Sequence, residues 1–209
     1  MGRALSNVWL EVERKFAALK CYPLRVDSGN PPFLSLTDLG SRTFHDTYFD
    51  LNDQLWMKGT WLRQRDGKWQ MKIRRGGTYL NSQSEEVSDL DIISAHIKSL
   101  TGREYGPSQL FGLSHLASFS TFRRAWIADS AFKIVLDQTD FGHTVGEVEL
   151  EAQMDVQGAD EIQMATKAMD KRIAAFLQHY VWAFSSEAPV GKLSAYFAHQ
   201  SLQRASISS

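Results

Sequence analysis

Residues 61–75 read Trp61-Leu62-Arg63-Gln64-Arg65-Asp66-Gly67-Lys68-Trp69-Gln70-Met71-Lys72-Ile73-Arg74-Arg75, two alternating segments on either side of Asp66-Gly67. That dipeptide accepts the positive φ angles of a type I′ turn, so the flanks are expected to pair as an antiparallel hairpin. Successive strand side chains point to opposite faces. Trp61, Arg63 and Arg65 therefore share one face, as do Gln70, Lys72 and Arg74, with Trp69, Met71 and Ile73 opposite.

The same alternation extends outward in both directions. It predicts strands over 8–16, near 42–49, near 79–87, and over 117–127, 131–139 and 144–153. Asn30-Pro31-Pro32 marks a loop, and Gly76-Gly77 is read as a mobile one. Helices are expected over 88–101, with Ser88 as cap and Asp91 three residues on, and over 107–115. Residues 159–182 set Ile162, Ala165, Met169, Ile173, Phe176, Leu177 and Tyr180 at three- and four-residue steps, an amphipathic helix with one core-facing stripe. A short last helix is expected over 190–199. The sum is an α+β fold on a large antiparallel sheet, one domain over 1–209 with its core at about 7–200 and a short flexible tail.

Composition narrows the function. Apolar residues make up 43% of the 209, enough for a real core, which excludes intrinsic disorder. The 23 basic and 24 acidic side chains leave a net charge of -1, against the basic surplus that nucleic-acid binding requires. Cys21 is the single cysteine, so neither an internal disulfide nor a cysteine zinc site is available, and a cytoplasmic location is expected. No run reaches the eighteen or so apolar residues of a membrane span, and Glu11, Glu13, Arg14 and Lys15 come too early for a signal peptide. Met1-Gly2-Arg3-Ala4-Leu5-Ser6 fits the loose N-myristoylation pattern, which also arises by chance. The six histidines lack metal-ligand spacing, and no Gly-x-Ser-x-Gly elbow or Cys/His pairing is present.

The charged strand faces are segregated by sign. Glu11, Glu13 and Lys15 oppose Leu10, Val12 and Phe16; Lys133 and Asp137 oppose Phe132, Ile134 and Leu136; Glu147, Glu149 and Glu151 oppose Val148 and Leu150. One reading is a set of solvated faces on half-buried strands. The other is ion binding: gathered carboxylates suit a hard divalent cation such as Mg²⁺, and gathered cations suit a polyphosphate. If the sheet closes on itself, both clusters face inward, and eight strands make a narrow polar tunnel with helices outside. Either Glu85 or Glu86 could face that interior. Arg124 points away from Arg123 and is read as a surface residue.

These residues resemble the CYTH domain, the fold of the triphosphate tunnel metalloenzymes. Glu11-Val12-Glu13-Arg14-Lys15 matches the Glu-x-Glu-x-Lys signature. In order there follow Trp61-Leu62-Arg63-Gln64-Arg65, Trp69-Gln70-Met71-Lys72, Arg123-Arg124, Asp137, Gly146-Glu147-Val148-Glu149 and Lys192. Within the family the chain is most similar to the thiamine-triphosphatase branch, through Asp46-Thr47-Tyr48-Phe49-Asp50, Asp140-Phe141-Gly142 and Ala188-Pro189 before Lys192-Leu193. Where vertebrate members carry Asp-x-Asp, this chain has Val135 and then Asp137, so one inner carboxylate is missing.

The resemblance implies a closed eight-stranded antiparallel β-barrel, a tunnel with helices packed outside. It implies that Lys15, Arg63, Arg65, Lys72, Arg123 and Lys192 hold triphosphate oxygens. It implies Mg²⁺, with Mn²⁺ also acceptable, on Glu11, Glu13, Asp137, Glu147 and Glu149. Lys15, Glu147 and Glu149 would serve the reaction, one carboxylate orienting the attacking water. Trp61 is either an aromatic that stacks on the thiazolium cation at the tunnel mouth or a core aromatic beside Arg63. The implied activity is hydrolysis of thiamine triphosphate to the diphosphate and orthophosphate, by a monomer. An inorganic or nucleoside triphosphatase, an adenylate cyclase of the same fold and a noncatalytic polyphosphate-binding module are the alternatives.

Overall fold

Leu10, Val12 and Phe16 point from β1 (Ser6–Phe16) into an apolar core, whereas Glu11, Glu13 and Lys15 line a charged interior. The computed structural model describes residues 6–207, so the Gly2 pattern lies outside them, and the whole sheet repeats this division. The remaining strands are β2 (Leu36–Asp50), β3 (Thr60–Arg65), β4 (Lys68–Gly77), β5 (Asn81–Val87), β6 (Ser114–Ala128), β7 (Phe132–Thr139) and β8 (Thr144–Val156). They pair in the order β1-β5-β4-β3-β2-β6-β7-β8, every pair antiparallel, and β8 returns to β1 to close the ring.

The Asp66-Gly67 turn forms as expected, with φ of 48° and 78°. Its Asp66 also accepts the His45 backbone N–H at 2.8 Å, which ties the hairpin to β2. Gly76-Gly77 is not a loop. Both glycines continue β4 opposite Gln83 and Ser82, and a Cβ on Gly77 would meet the Asn81 carbonyl oxygen at 2.0 Å. The turn falls instead on 78–80, where Thr78 N–H donates to the Asn81 carbonyl at 2.9 Å.

Helices cover the outside. In α3 (Ala159–His179) the stripe of Ile162, Met169, Ile173 and Phe176 packs on β1 and β8, each buried side chain contributing about 1.5–3 kcal/mol. Arg14 of β1 fastens this helix by donating to both carboxylate oxygens of Asp170 at 3.0 Å. A second core joins Leu62, Met71 and Ile73 to α1 (Gln54–Met57), α2 (Leu90–Thr101) and a 3₁₀ segment, Pro107–Gly112.

Several boundaries differ from expectation for local reasons. Asp89 rather than Ser88 caps α2, accepting from Asp91 N–H at 2.9 Å and Ile92 N–H at 3.1 Å. The segment expected as a helix over 107–115 is 3₁₀ only, because Leu110 and Phe111 adopt φ of 52°. β2 begins at Leu36, upstream of the expected start, behind a bulge between Asp38 and Gly40. The last helix, α4 (Lys192–Ile207), continues where a tail was expected. Its Leu193, Tyr196 and Phe197 pack against Tyr48, Ala117 and Phe119, so α4 covers one end of the ring. No helix among the described residues is long and apolar enough to cross a membrane.

Candidate active site

One cavity of about 280 Å³ occupies the interior, lined by nine cationic and six carboxylate side chains. Its acidic wall follows from register: Glu13 of β1 lies opposite Glu149 of β8, and Glu11 opposite Glu151. Like charges in such positions repel, and cations are interleaved to offset this. Lys72 Nζ donates to Glu11 Oε1 at 2.6 Å and to Glu13 Oε2 at 2.8 Å, with Glu86 Oε1 at 3.9 Å. Lys15 bonds Glu13 and stands 3.4 Å from Glu147 Oε1. Lys133 Nζ is 2.7 Å from Glu149 Oε2 and from Glu151 Oε1.

This mixture drives the titration of the wall in two directions. Burial pushes Glu11 well above the ordinary carboxylate range, opposed by Lys72 and reinforced by Glu86, Glu149 and Glu13. Burial also raises Glu149, against the pull of Arg123 and Lys133. The same burial acts on Glu13, but Lys15 and Lys72 outweigh it and hold that carboxyl well below its usual range. For Glu147, burial and Glu13 push upward while Lys192 and Lys15 prevail and lower it. Lys15 and Lys72 are raised by these carboxylates despite burial, so both stay protonated.

Two arginines of the cavity are gripped alike. Arg65 donates through Nε and Nη2 to Asp46 at 2.8 and 2.7 Å, and Arg123 donates through Nε and Nη2 to Asp137 at 2.7 and 2.8 Å. Both aspartates are fully buried, and each fork fixes a planar guanidinium; that of Arg123 also lies 3.6 Å from Glu147 Oε2 and 3.7 Å from Glu149 Oε1. Lys192 adds a bond to Asp137 Oδ2. Arg63 donates through Nε to Gln70 at 3.1 Å and lies 3.9 Å from Asp46.

At the end covered by α4, Tyr79 lies against Gly191, where a Cβ would meet its hydroxyl at 1.9 Å. Its hydroxyl accepts from Ser194 at 3.1 Å, and its ring lies 5.7 Å from Lys15 Nζ. Trp61 lines the cavity half-buried, with the Arg74 guanidinium 5.7 Å from its ring centre.

The ring brings Glu11, Glu13, Lys15, Trp61, Arg63, Arg65, Lys72, Arg123, Glu147, Glu149 and Lys192 to this one cavity. Asp137 stands behind the lining, with both oxygens taken by Arg123 and Lys192. Glu86 is the lining member of its pair, while Glu85 accepts from Arg75 outside. Arg124 lies on the outer surface, bonded to Asp38 and Tyr22. Val135 is fully buried opposite Glu147, between the inward positions of Lys133 and Asp137. Arg42, Phe44, Asp46 and Tyr48 were missed, although their own alternation along β2 carried the signal.

No three His, Cys, Asp or Glu side chains among the described residues converge as a ready-made metal cage. The donor chemistry nevertheless suits a hard divalent cation. The wall offers carboxylate oxygens alone, and two of its members, Glu11 and Glu149, are disfavoured as bare anions. Glu149 Oε2 is buried and accepts no hydrogen bond of good geometry, although Lys133 Nζ is near.

No protein-family model matches the chain. Among solved structures, a Pyrococcus horikoshii protein is 17% identical, covering 93% of this chain and 99% of its own with a TM-score of 0.48. A Vibrio parahaemolyticus protein is 16% identical, covering 95% and 99% with a TM-score of 0.48. The thiamine-triphosphatase of Homo sapiens is 30% identical over 164 residues, covering 67% of this chain and 67% of that protein. The thiamine-triphosphatase of Macaca fascicularis matches with the same identity and coverage. Identity at that level across two thirds of both chains makes this protein a member of the thiamine-triphosphatase family, the CYTH group to which its motifs point.

Proposed function

We propose that the protein hydrolyses thiamine triphosphate to thiamine diphosphate and orthophosphate inside the ring, with Mg²⁺ or Mn²⁺ as cofactor. The observation that carries this reading is the cavity itself, in which fixed cations and a cluster of carboxylates line one space. Arg63, Arg65 and Arg123 bind phosphate oxygens as planar forks, and Lys15, Lys72 and Lys192 as point charges. Glu11, Glu13, Glu147 and Glu149 hold the metal. Asp137 contributes to that end of the site mainly by orienting Arg123 and Lys192. When bound, the metal neutralises charge on the phosphate chain.

Lys15 remains protonated and serves as a cation rather than a base. Glu149, whose carboxyl is held above its ordinary range by burial, orients the attacking water and receives its proton. The water oxygen forms the new P–O bond as the bond to the diphosphate oxygen breaks, and the diphosphate leaves with that electron pair. Trp61 accepts the thiazolium on its ring face in place of the Arg74 guanidinium.

The test is orthophosphate release from thiamine triphosphate, inorganic triphosphate and ATP at equal concentration, with Mg²⁺ and with a chelator. Selective, chelator-sensitive release from thiamine triphosphate supports the reading. Faster release from inorganic triphosphate reassigns the substrate, and no release from any of the three leaves a binding module.

A further inference from the structure

Phe44 points inward from β2 and is 2% exposed, yet its ring is surrounded by charge. The guanidinium carbons of Arg65, Arg42 and Arg123 lie 3.9, 5.3 and 5.4 Å from the ring centre. An aromatic face attracts guanidinium groups and so holds three like charges closer than they would otherwise settle. Two of the three are matched, Arg65 by Asp46 and Arg123 by Asp137. Arg42 is not. Its side chain lines the cavity and is exposed to it, and among the described residues it meets no carboxylate.

Register sharpens the point. Arg42 of β2 lies directly opposite Arg123 of β6, a placement in which like charges are destabilising. Asp137, Glu147 and Glu149 all lie within 4 Å of Arg123, and none of them is paired with Arg42. An arginine in that position, without its own counter-ion, on a ring that already carries two others, presents positive charge to an anion that enters the cavity.

We propose that Arg42 is a further substrate-binding residue, taking oxygens of the phosphate chain, and that Phe44 is a positioning residue that sets the spacing of Arg42, Arg65 and Arg123. This rests on the triphosphate reading of the cavity and adds to it a cation outside the set that the motifs supply. Arg42 binds by charge and fork geometry, so it serves any chain of phosphates and does not read the thiamine group. Phe44 acts only through the guanidinium groups around it.

The test is equilibrium binding of inorganic triphosphate to the full chain by calorimetry with a chelator present, so that no turnover intervenes. Arg42→Ala is expected to weaken binding about tenfold, with a shallower dependence on salt and a melting temperature equal to or above that of the unchanged protein, since the repulsion with Arg123 is relieved. Arg42→Lys is expected to recover part of the loss, as a charge without the fork. Phe44→Leu is expected to weaken binding and raise KM for thiamine triphosphate more than it lowers kcat, whereas Phe44→Tyr, which keeps the ring, stays near the unchanged protein. If the unchanged protein binds triphosphate and Arg42→Ala binds it equally well, this inference fails and the proposed function stands. If the unchanged protein binds no triphosphate, both fail. Arg42 is exposed, so its variants read the inference even if Phe44→Leu does not fold.

Discussion

Asp137 holds two cations that are far apart in the chain: Arg123 of β6 grips both of its oxygens at 2.7 and 2.8 Å, and Lys192, the first residue of α4, binds Oδ2. Asp137→Asn would leave both cations without their counter-charge in a buried setting. A loss of about 3 kcal/mol is expected in urea unfolding, together with a raised KM for triphosphate substrates. Unchanged stability would show that the pair is solvated rather than buried.

Lys72 is the cation that Glu11 and Glu13 share. Lys72→Met should lower the melting temperature, because Glu11 then loses its bonded cation and Glu13 keeps only Lys15. Mg²⁺ is expected to raise the melting temperature of this variant by more than it raises that of the unchanged protein, since ligand binding to the folded state adds stability. Equal small shifts in both proteins would count against metal binding on β1.

Trp61→Ala should separate the thiamine group from the phosphates. A cation–π contact of the order of 1.4 kcal/mol corresponds to a tenfold loss. Steady-state kinetics should therefore show kcat/KM for thiamine triphosphate down about tenfold and that for inorganic triphosphate little changed. A parallel fall for both would place Trp61 in the core rather than at the substrate.

Stability without ligand should decline on both sides of a maximum. Burial raises Asp46, but the Arg65 bonds and the Arg63 charge prevail and lower it. Asp137, Glu13 and Glu147 are lowered as well. These groups contribute stability above the unfolded carboxylate values of about 4, lost as pH falls through their folded values. Glu11 and Glu149 have the opposite sign: their contribution is present below about 4.3 and is lost as pH rises through their raised folded values. Melting curves across pH should show both limbs, and Asp46→Asn should flatten the acid one.

The inward residues of β1, of the hairpin up to Arg74 and of β8 were legible because a period of two runs through those stretches without interruption. Glu86 could not be told from Glu85, since that choice depends on pairing with β1 and β4, which no local pattern contains. The bulge at Asp38 and Gly40 hid the start of β2, whereas Arg42 and Phe44 fall within the expected strand and went unread because their partners Arg65 and Arg123 come from other strands. The partnership of Asp46 with Arg65 is a property of the β2–β3 register, so sequence placed the two on strands without bringing them together. At four residues, α1 is too short to show a helical period, and its start is held instead by Asp50, which accepts from Leu55 N–H at 3.0 Å and Trp56 N–H at 3.1 Å.

Closure of the ring joins β1, beginning at Ser6, to β8, ending at Val156, so the cavity has no fourth side until most of the chain has been synthesised. Lys192 arrives later still. On the ribosome, β1 can pair with β5 and meet Lys72 once Val87 has emerged, but Glu13 and Lys15 wait for Glu147 and Glu149 on β8, so the phosphate-binding capacity should emerge late and abruptly. Dominance of such distant pairings also places the protein among slow folders, for which a ligand that waits for the finished ring cannot assist the early steps.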